Sequence, residues 1–158
     1  MNKVFLFVLI LLLSSCFLKR KGVGDTRTVD VKYIDNYTYL LQSYSDDPTY
    51  GYNMLNPVKV GGIKDMSGPL NQRRFLNALL GPEGQPIYFF RYGSCCAFET
   101  PNGFMNNKGL LDRYGLFWEG SKDTISIYLN MYDKGNLKIP VGLNAKKNID
   151  FFKYPDSK

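Results

Sequence analysis

The chain of 158 residues contains no histidine, which excludes Ser-His-Asp and Cys-His catalysis and zinc sites built on imidazole. Its 20 basic and 14 acidic residues give a net charge of +6, and the basic residues are scattered along the chain rather than clustered. The positive surplus fits solubility or contact with anionic polymers, whereas the scattering of the basic residues argues against a nucleic-acid-binding surface. The length is sufficient for one domain with a proper core.

The first fifteen residues have the pattern of a bacterial lipoprotein signal peptide. Lys3 provides a positive start, residues 4–13 are all apolar, and the sequence LSSC ends at Cys16. The apolar run is too short for a membrane-spanning helix, which needs ~20 residues, but it suits the core of a signal peptide. The LSSC sequence resembles a lipobox, and this resemblance implies cleavage before Cys16 and acylation (for example with palmitate) of that cysteine. The alternative is an ordinary signal peptide with an incidental cysteine.

A lipid on Cys16 would anchor the protein to a membrane. Each buried CH₂ contributes ~0.8 kcal/mol, so that two or more acyl chains hold firmly. We expect residues 16–28 to form the lipidated cysteine and a solvated tether; its basic residues 19–21 could instead lie on anionic head groups. In enteric lipoproteins, an aspartate directly after the lipidated cysteine resembles a signal for retention in the inner membrane. This chain has Phe17 at that position, so we expect it to be anchored in the outer membrane, on its periplasmic or its surface face.

Residues 29–158 are predicted to form one domain of the α+β class. The alternating apolar residues of segment 29–41 predict a strand, or a strand pair broken at residues 35–36. Segment 42–52 is polar and predicts a surface loop, and segment 56–62 predicts a short strand closed by glycines.

One main helix is predicted at about residues 69–80. Ser67 or Gly68 can cap it, Pro69 suits its first turn, and Gly81 follows its end. Its apolar side chains lean to one face, which predicts packing on a sheet.

From Pro86 onward the pattern predicts strands at residues 87–92, 95–100, 110–118 and 124–132, and an edge strand at 137–143 interrupted by Pro140. Short turns join these strands, which predicts an antiparallel sheet of about five to seven strands with the helix packed on one face.

Two adjacent cysteines, Cys95 and Cys96, are the sharpest candidate site, because lipidation of Cys16 would leave them as the only thiols in an oxidising compartment. Three interpretations stay open. Strand alternation could point one thiol into the core and the other outward. The pair could form a strained vicinal disulfide. It could also support redox or metal chemistry, with Arg91 lowering a thiol pKa, although the usual CxxC spacing is absent.

Other candidates are weaker. The loops around residues 44–52 and 94–109 offer Arg91, Tyr50, Tyr52 and Asn102 as possible binding residues. The spacing of the carboxylates singles out no acid–base pair, and no glycine-rich phosphate loop is present. We therefore predict no catalytic residue, no metal site and no cofactor, and keep Cys95 and Cys96 as a possible disulfide or redox pair.

Several stretches resemble a group of small uncharacterised lipoproteins from Bacteroidota and other Gram-negative bacteria, which share a GSCCxFxTPNG block. They are NPVKVGG (residues 56–62), GPLNQRRFLNALLGPEGQPI (68–87), RYGSCCAFETPNG (91–103), GLLDRY (109–114) and IYLNMYDKGNLKIPVG (127–142). The resemblance covers nearly all of the mature domain but implies no particular activity. Some members carry the name of a sugar-acid phosphate aldolase, whose barrel needs roughly 250 residues.

These observations favour a lipid-anchored cell-envelope protein that binds a partner through exposed loops and is not an enzyme. The partner could be an envelope protein, peptidoglycan or another glycan. A thiol–disulfide or other Cys-dependent enzyme centred on Cys95 and Cys96 is the first alternative. An immunity-type or inhibitor-type lipoprotein is the second.

Overall fold

The computed structural model describes residues 24–104 and 106–147. The predicted signal peptide, Cys16 and the end of the predicted domain lie outside the described residues. Within the described part of the chain, no helix is long and apolar enough to cross a membrane.

The main sheet has four strands. They are β3 (Val58–Lys59), β5 (Tyr88–Glu99), β6 (Lys108–Phe117) and β7 (Ile125–Asn130), in the spatial order β3-β7-β6-β5. β6 pairs antiparallel with both β5 and β7, whereas β3 pairs parallel with β7. The long β5 therefore forms one edge of this sheet.

The other described strands form two small two-stranded sheets. β1 (Lys32–Asp35) and β2 (Thr38–Leu40) form an antiparallel hairpin, and β4 (Leu79–Leu80) pairs antiparallel with β8 (Asn144–Ala145). Residues 36 and 37 form the turn of the hairpin. Its backbone carbonyls accept hydrogen bonds from helix side chains, which hold the hairpin against the helix.

Helix α1 (Gly68–Ala78) carries proline in its first turn, where the missing N–H leaves no helical hydrogen bond unmade. Ser67 lies at the N-cap position, but its hydroxyl donates to the Asp65 carboxylate instead of capping the helix. Phe75 and Leu76 are buried on the face that packs on the main sheet.

A single apolar core lies between α1 and one face of the main sheet. Burial of these side chains is the main favourable contribution to folding, at ~25 cal/mol per Å² of apolar surface. The fully buried members include Tyr39, Val58, Val60, Phe75, Leu76, Leu79, Leu116, Ile127 and Leu129.

The predicted α+β class is confirmed, and among residues 24–104 and 106–147 one helix packs against the sheet, as predicted. The main sheet has fewer strands than the five to seven predicted, and one of its pairings is parallel. The predicted strands 87–92 and 95–100 are one strand, β5, because Gly93 is absorbed into a β-bulge and does not break the ladder.

The predicted edge strand at residues 137–143 is instead irregular chain with a turn at residues 141–142. Ile139 forms an isolated bridge with Tyr44, and its backbone N–H donates to the Ser43 carbonyl. Pro140 follows directly and has no N–H to donate, so the pairing cannot continue as a ladder. The helix also ends two residues early, because Leu79 and Leu80 pair with β8 as strand β4.

Candidate functional site

Two β-bulges interrupt β5 where it pairs with β6. Arg91 and Gly93 face consecutive residues of β6, as do Cys95 and Ala97, so Tyr92 and Cys96 are each an extra residue in β5. Cys96 has a φ of 54°, a left-handed conformation that costs an L-residue about 1–2 kcal/mol. A bulge shifts the alternation of side chains, and this one places the two cysteine side chains next to each other.

The two thiols are free, and their Sγ atoms lie 2.6 Å apart. Both residues are half-buried, so the interpretation with one thiol in the core and the other outside does not hold, and the vicinal disulfide stays a prediction. Burial, together with the hydrogen bond from Cys96, raises the pKa of Cys95 to about 11. At pH 7 a thiol with that pKa is thiolate in roughly one molecule in ten thousand, which makes it a poor nucleophile.

Beside the cysteines, the buried carboxylate of Asp112 accepts hydrogen bonds from three side chains. Nε2 of Gln72 donates to its Oδ2 at 2.7 Å, and Nη2 of Arg91 and the hydroxyl of Ser94 donate to its Oδ1 at 2.6 and 2.8 Å. The Oε1 of Gln72 in turn accepts from the Tyr114 hydroxyl at 3.0 Å. This network joins α1 to β5 and β6, and hydrogen bonds to an ionised acceptor are stronger than neutral ones.

Arg91 therefore donates its hydrogen bonds to Asp112 and Ser94. The hydrogen bond to Asp112 raises the pKa of Arg91. The cation that acts on the Cys95 thiol is Arg113, whose effect of lowering the pKa is outweighed by burial. The expected activation of a thiol by Arg91 is not what this arrangement provides.

The structure does not bring Tyr50 and Tyr52 to this site. The Tyr50 hydroxyl donates to the Asn136 carbonyl and accepts from the Lys138 backbone N–H, at 3.4 and 3.1 Å. The Tyr52 hydroxyl donates to the Val141 carbonyl at 2.9 Å. Both phenols hold the 49–56 loop against the segment 136–141.

Asn102 also makes contacts within the chain. Its Nδ2 donates to the carboxylates of Asp25 and Asp133, each at 3.0 Å. Asp133 is fully buried and accepts from the Thr100 hydroxyl as well. Asn102 thereby joins the N-terminal end of the described chain to the β5–β6 loop.

Exposed aromatic side chains cover the opposite face of the β5–β6 pair from the core. We call Tyr88, Phe90, Tyr92 and Phe117 the aromatic face; they are 58%, 44%, 47% and 39% exposed. Tyr88 stacks on Phe117 at 5.6 Å between ring centroids, and Phe90 meets Tyr92 edge-on at 4.8 Å. The Arg113 guanidinium lies 4.3 Å from the centre of the Tyr92 ring.

Phe90 of the aromatic face is the cross-strand partner of Gly115, and this pairing fixes the position of its ring. A Cβ at Gly115 would lie 2.8 Å from Cζ of Phe90, so the ring occupies the space that a side chain would need. This face is not predicted from the sequence pattern. Its signal was the run Tyr88-Phe89-Phe90, which places aromatic rings on both faces of a strand, in a domain whose one predicted helix can cover only one face of the sheet.

Within residues 24–104 and 106–147, no group of three or more Cys, Asp or Glu side chains is arranged to hold a metal ion. Comparison of the chain with protein-family models, curated proteins and solved structures finds no match.

Proposed function

We propose that this chain is a lipid-anchored, non-enzymatic binding protein of the cell envelope, whose aromatic face docks onto a protein partner. The observation that carries the proposal is the contiguous row of four exposed aromatic side chains on one sheet face. Contiguous apolar surface of this kind is uncommon on proteins without a partner and marks interaction sites.

The residue types fit the centre of a protein interface. Tyrosine, phenylalanine and arginine are enriched there, and tyrosine and arginine supply many of the hot spots. The rings also support one another: Phe90 contacts both Tyr92 and Phe117, and Arg113 lies over Tyr92. A partner would therefore meet side chains that are already ordered, which lowers the entropic cost of binding.

The edge position of β5 favours a protein over a glycan. Among the described strands, only β6 pairs with β5, so the other edge of residues 88–91 presents unpaired backbone groups beside the aromatic rings. An extended peptide can add to such an edge through main-chain hydrogen bonds while its side chains contact the aromatic face. The two bulges at Tyr92 and Cys96 would end this pairing, which limits it to the first part of the strand.

In the alternative of a Cys-dependent enzyme, the raised pKa of Cys95 disfavours this residue as the nucleophile. We expect the reduced protein to react with iodoacetamide at pH 7 on the order of 30-fold more slowly at Cys95 than free cysteine does. The smaller thiolate fraction causes this, partly offset by the greater nucleophilicity of a more basic thiolate. Mass spectrometry of timed alkylation reports the rate. A rate equal to or above that of free cysteine would instead support a Cys-dependent enzyme.

Photo-crosslinking in the native cell tests the proposed interface. Benzoylphenylalanine replaces Phe117 in one strain and Tyr37 in the control strain; Tyr37 is 66% exposed and lies in the β1–β2 turn. We expect an adduct from position 117 and none from position 37. Adding Tyr88→Ala should reduce the adduct at least several-fold, because it removes the ring that stacks on Phe117.

The nature of the adduct decides between partner classes. An adduct that protease removes and that mass spectrometry identifies as protein supports the proposal, and a toxin or cell-wall hydrolase as that protein would favour an inhibitor role. An adduct that muramidase releases would instead make the partner a glycan. Equal yields from positions 117 and 37 would refute the aromatic face as the binding surface.

A further inference from the structure

One end of the main sheet carries the N-terminal end of the described chain. β7 runs parallel to β3 and antiparallel to β6, and β6 runs antiparallel to β5. The carboxyl ends of β3, β5 and β7 and the start of β6 therefore meet at the same end of the sheet. We call the segments there, residues 24–27, 60–67, 100–104 and 131–135, the tether end.

Hydrogen bonds fix residues 24–26 at this end. The Lys59 ammonium donates to the Gly24 carbonyl at 2.9 Å, and the Lys134 backbone N–H donates to the Asp25 carboxylate at 2.8 Å. The Thr26 N–H donates to the Lys134 carbonyl at 2.7 Å. The described chain therefore begins at the tether end.

Two apolar side chains at the tether end are almost fully exposed. Met66 is 91% exposed and Phe104 is 76% exposed. Their loops flank the same segment: the Ile63 N–H donates to the Met131 carbonyl, and the Phe104 ring meets Tyr132 edge-on at 6.3 Å.

The charges at this end are mixed. Lys64, Lys108 and Lys134 are exposed there, but so are Asp65 and Glu99. The apolar tips, and not a net positive charge, are therefore what distinguishes the tether end.

We infer that the tether end rests on the phospholipid surface that holds the Cys16 lipid, with Phe104 and Met66 inserted at the level of the head groups. The inference depends on the proposed lipid anchor. Gly24 lies eight positions after Cys16, and a fully extended chain of eight residue steps reaches at most ~29 Å. The anchor therefore keeps the tether end close to the bilayer, where burial of apolar side chains adds to the binding of the lipid.

This placement leaves most of the aromatic face pointing away from the bilayer. Tyr88 begins β5 and Phe117 ends β6, so both lie at the end of the sheet opposite the tether end. A partner can reach them while the domain rests on the membrane.

Tryptophan quenching tests the inference on the full acylated chain. The Phe104→Trp protein is compared with a Leu55→Trp protein and with the parent, whose single tryptophan gives the baseline. Leu55 is a matched control, because it is 75% exposed but precedes β3 at the opposite end of that strand. The proteins are reconstituted in vesicles of phosphatidylethanolamine and phosphatidylglycerol, with or without lipid brominated near the head of the acyl chain.

We expect brominated lipid to remove on the order of half of the added emission of the Phe104→Trp protein, since interfacial side chains reach ~5–10 Å into the boundary. The added emission of the Leu55→Trp protein should not change. Mass spectrometry of the N-terminal peptide from the same samples reports acylation. Acylated protein with equal quenching at both positions would overturn the inference and leave the anchor standing. A chain without lipid that does not bind the vesicles would overturn both.

Discussion

The Asp112 network offers the sharpest test of how the sheet and the helix are joined. Asp112→Asn keeps the size of the side chain but removes its charge and turns one acceptor into an NH₂ donor. Asp112 is only 4% exposed, and its three donors come from α1 and β5. At least one of these donors then faces another donor and cannot be satisfied by water without opening the structure.

The expected cost follows from the separate hydrogen bonds. The bond from Gln72 is buried and ends on a charge, so its loss costs about 1.5–3 kcal/mol. The Arg91 side chain is 46% exposed, so its ion pair adds less than about 1 kcal/mol. We therefore expect Asp112→Asn to lower the free energy of unfolding by about 2–4 kcal/mol.

Urea unfolding of the isolated domain, followed by circular dichroism under reducing conditions, measures this difference. Asp123→Asn is the matched control, because Asp123 is exposed in the β6–β7 turn, and changes at such sites stay within about 0.5 kcal/mol. If Asp112→Asn lost no more stability than Asp123→Asn, the network would not be what holds α1 on β6. In a Gln72→Leu background, which lacks the buried donor, Asp112→Asn should change the free energy of unfolding less than it does in the parent protein.

Three further predictions concern the backbone and the buried phenols. Gly115→Ala should cost about 1–3 kcal/mol in urea unfolding, because the new Cβ meets the Phe90 ring and the Thr124 methyl group, and part of that cost should vanish in a Phe90→Ala background. Cys96→Gly should raise the urea midpoint, by up to about 1 kcal/mol of stability, whereas Cys96→Val should lower it, since the position has a positive φ; the opposite order would exclude strain at the bulge. Burial raises the pKa of Tyr39 to about 12, so the fold favours the neutral phenol, and this contribution is complete below pH 10 and is lost as the pH rises through 12. Tyr39→Phe should thus flatten the decline of unfolding free energy between pH 10 and 12, whereas Tyr37→Phe, at an exposed position, should leave the slope unchanged.

Local signals in the sequence were sufficient for the main elements. The helix was predicted close to its observed bounds, because Pro69 and Gly81 mark its ends and its apolar residues lie on one side. The β1–β2 hairpin was anticipated as a strand pair broken at residues 35–36, where alternation stops. In both cases the information lies within a dozen consecutive residues.

The candidate site depended on contacts that no local pattern encodes. Whether Gly93 ends a strand or forms a bulge depends on the register with β6, and the same register places Cys96 beside Cys95. The hydrogen bond between Gln72 and Asp112 joins residues forty positions apart. The parallel pairing of β3 with β7 likewise joins distant segments, and residue patterns within either strand do not show it.

The aromatic face was missed for a related reason. Aromatic residues in strands were interpreted as packing, which holds for Phe89 and Tyr114 on the core side. Whether Tyr88 and Phe90 are also covered depends on what lies on the second face of the sheet, and no described element covers it enough to bury them.

The most direct test of the binding function compares the oxidation of these rings in two states. Hydroxyl-radical footprinting is carried out on the purified protein in detergent and on the same protein in isolated native envelopes, with oxidation measured by peptide mass spectrometry. We predict that Tyr88, Phe90 and Phe117 are oxidised several-fold less in envelopes, whereas Tyr37 and Leu55, which are exposed elsewhere, are oxidised equally in both. Equal oxidation of the aromatic face in both states would mean that no partner covers it and would contradict the proposed function.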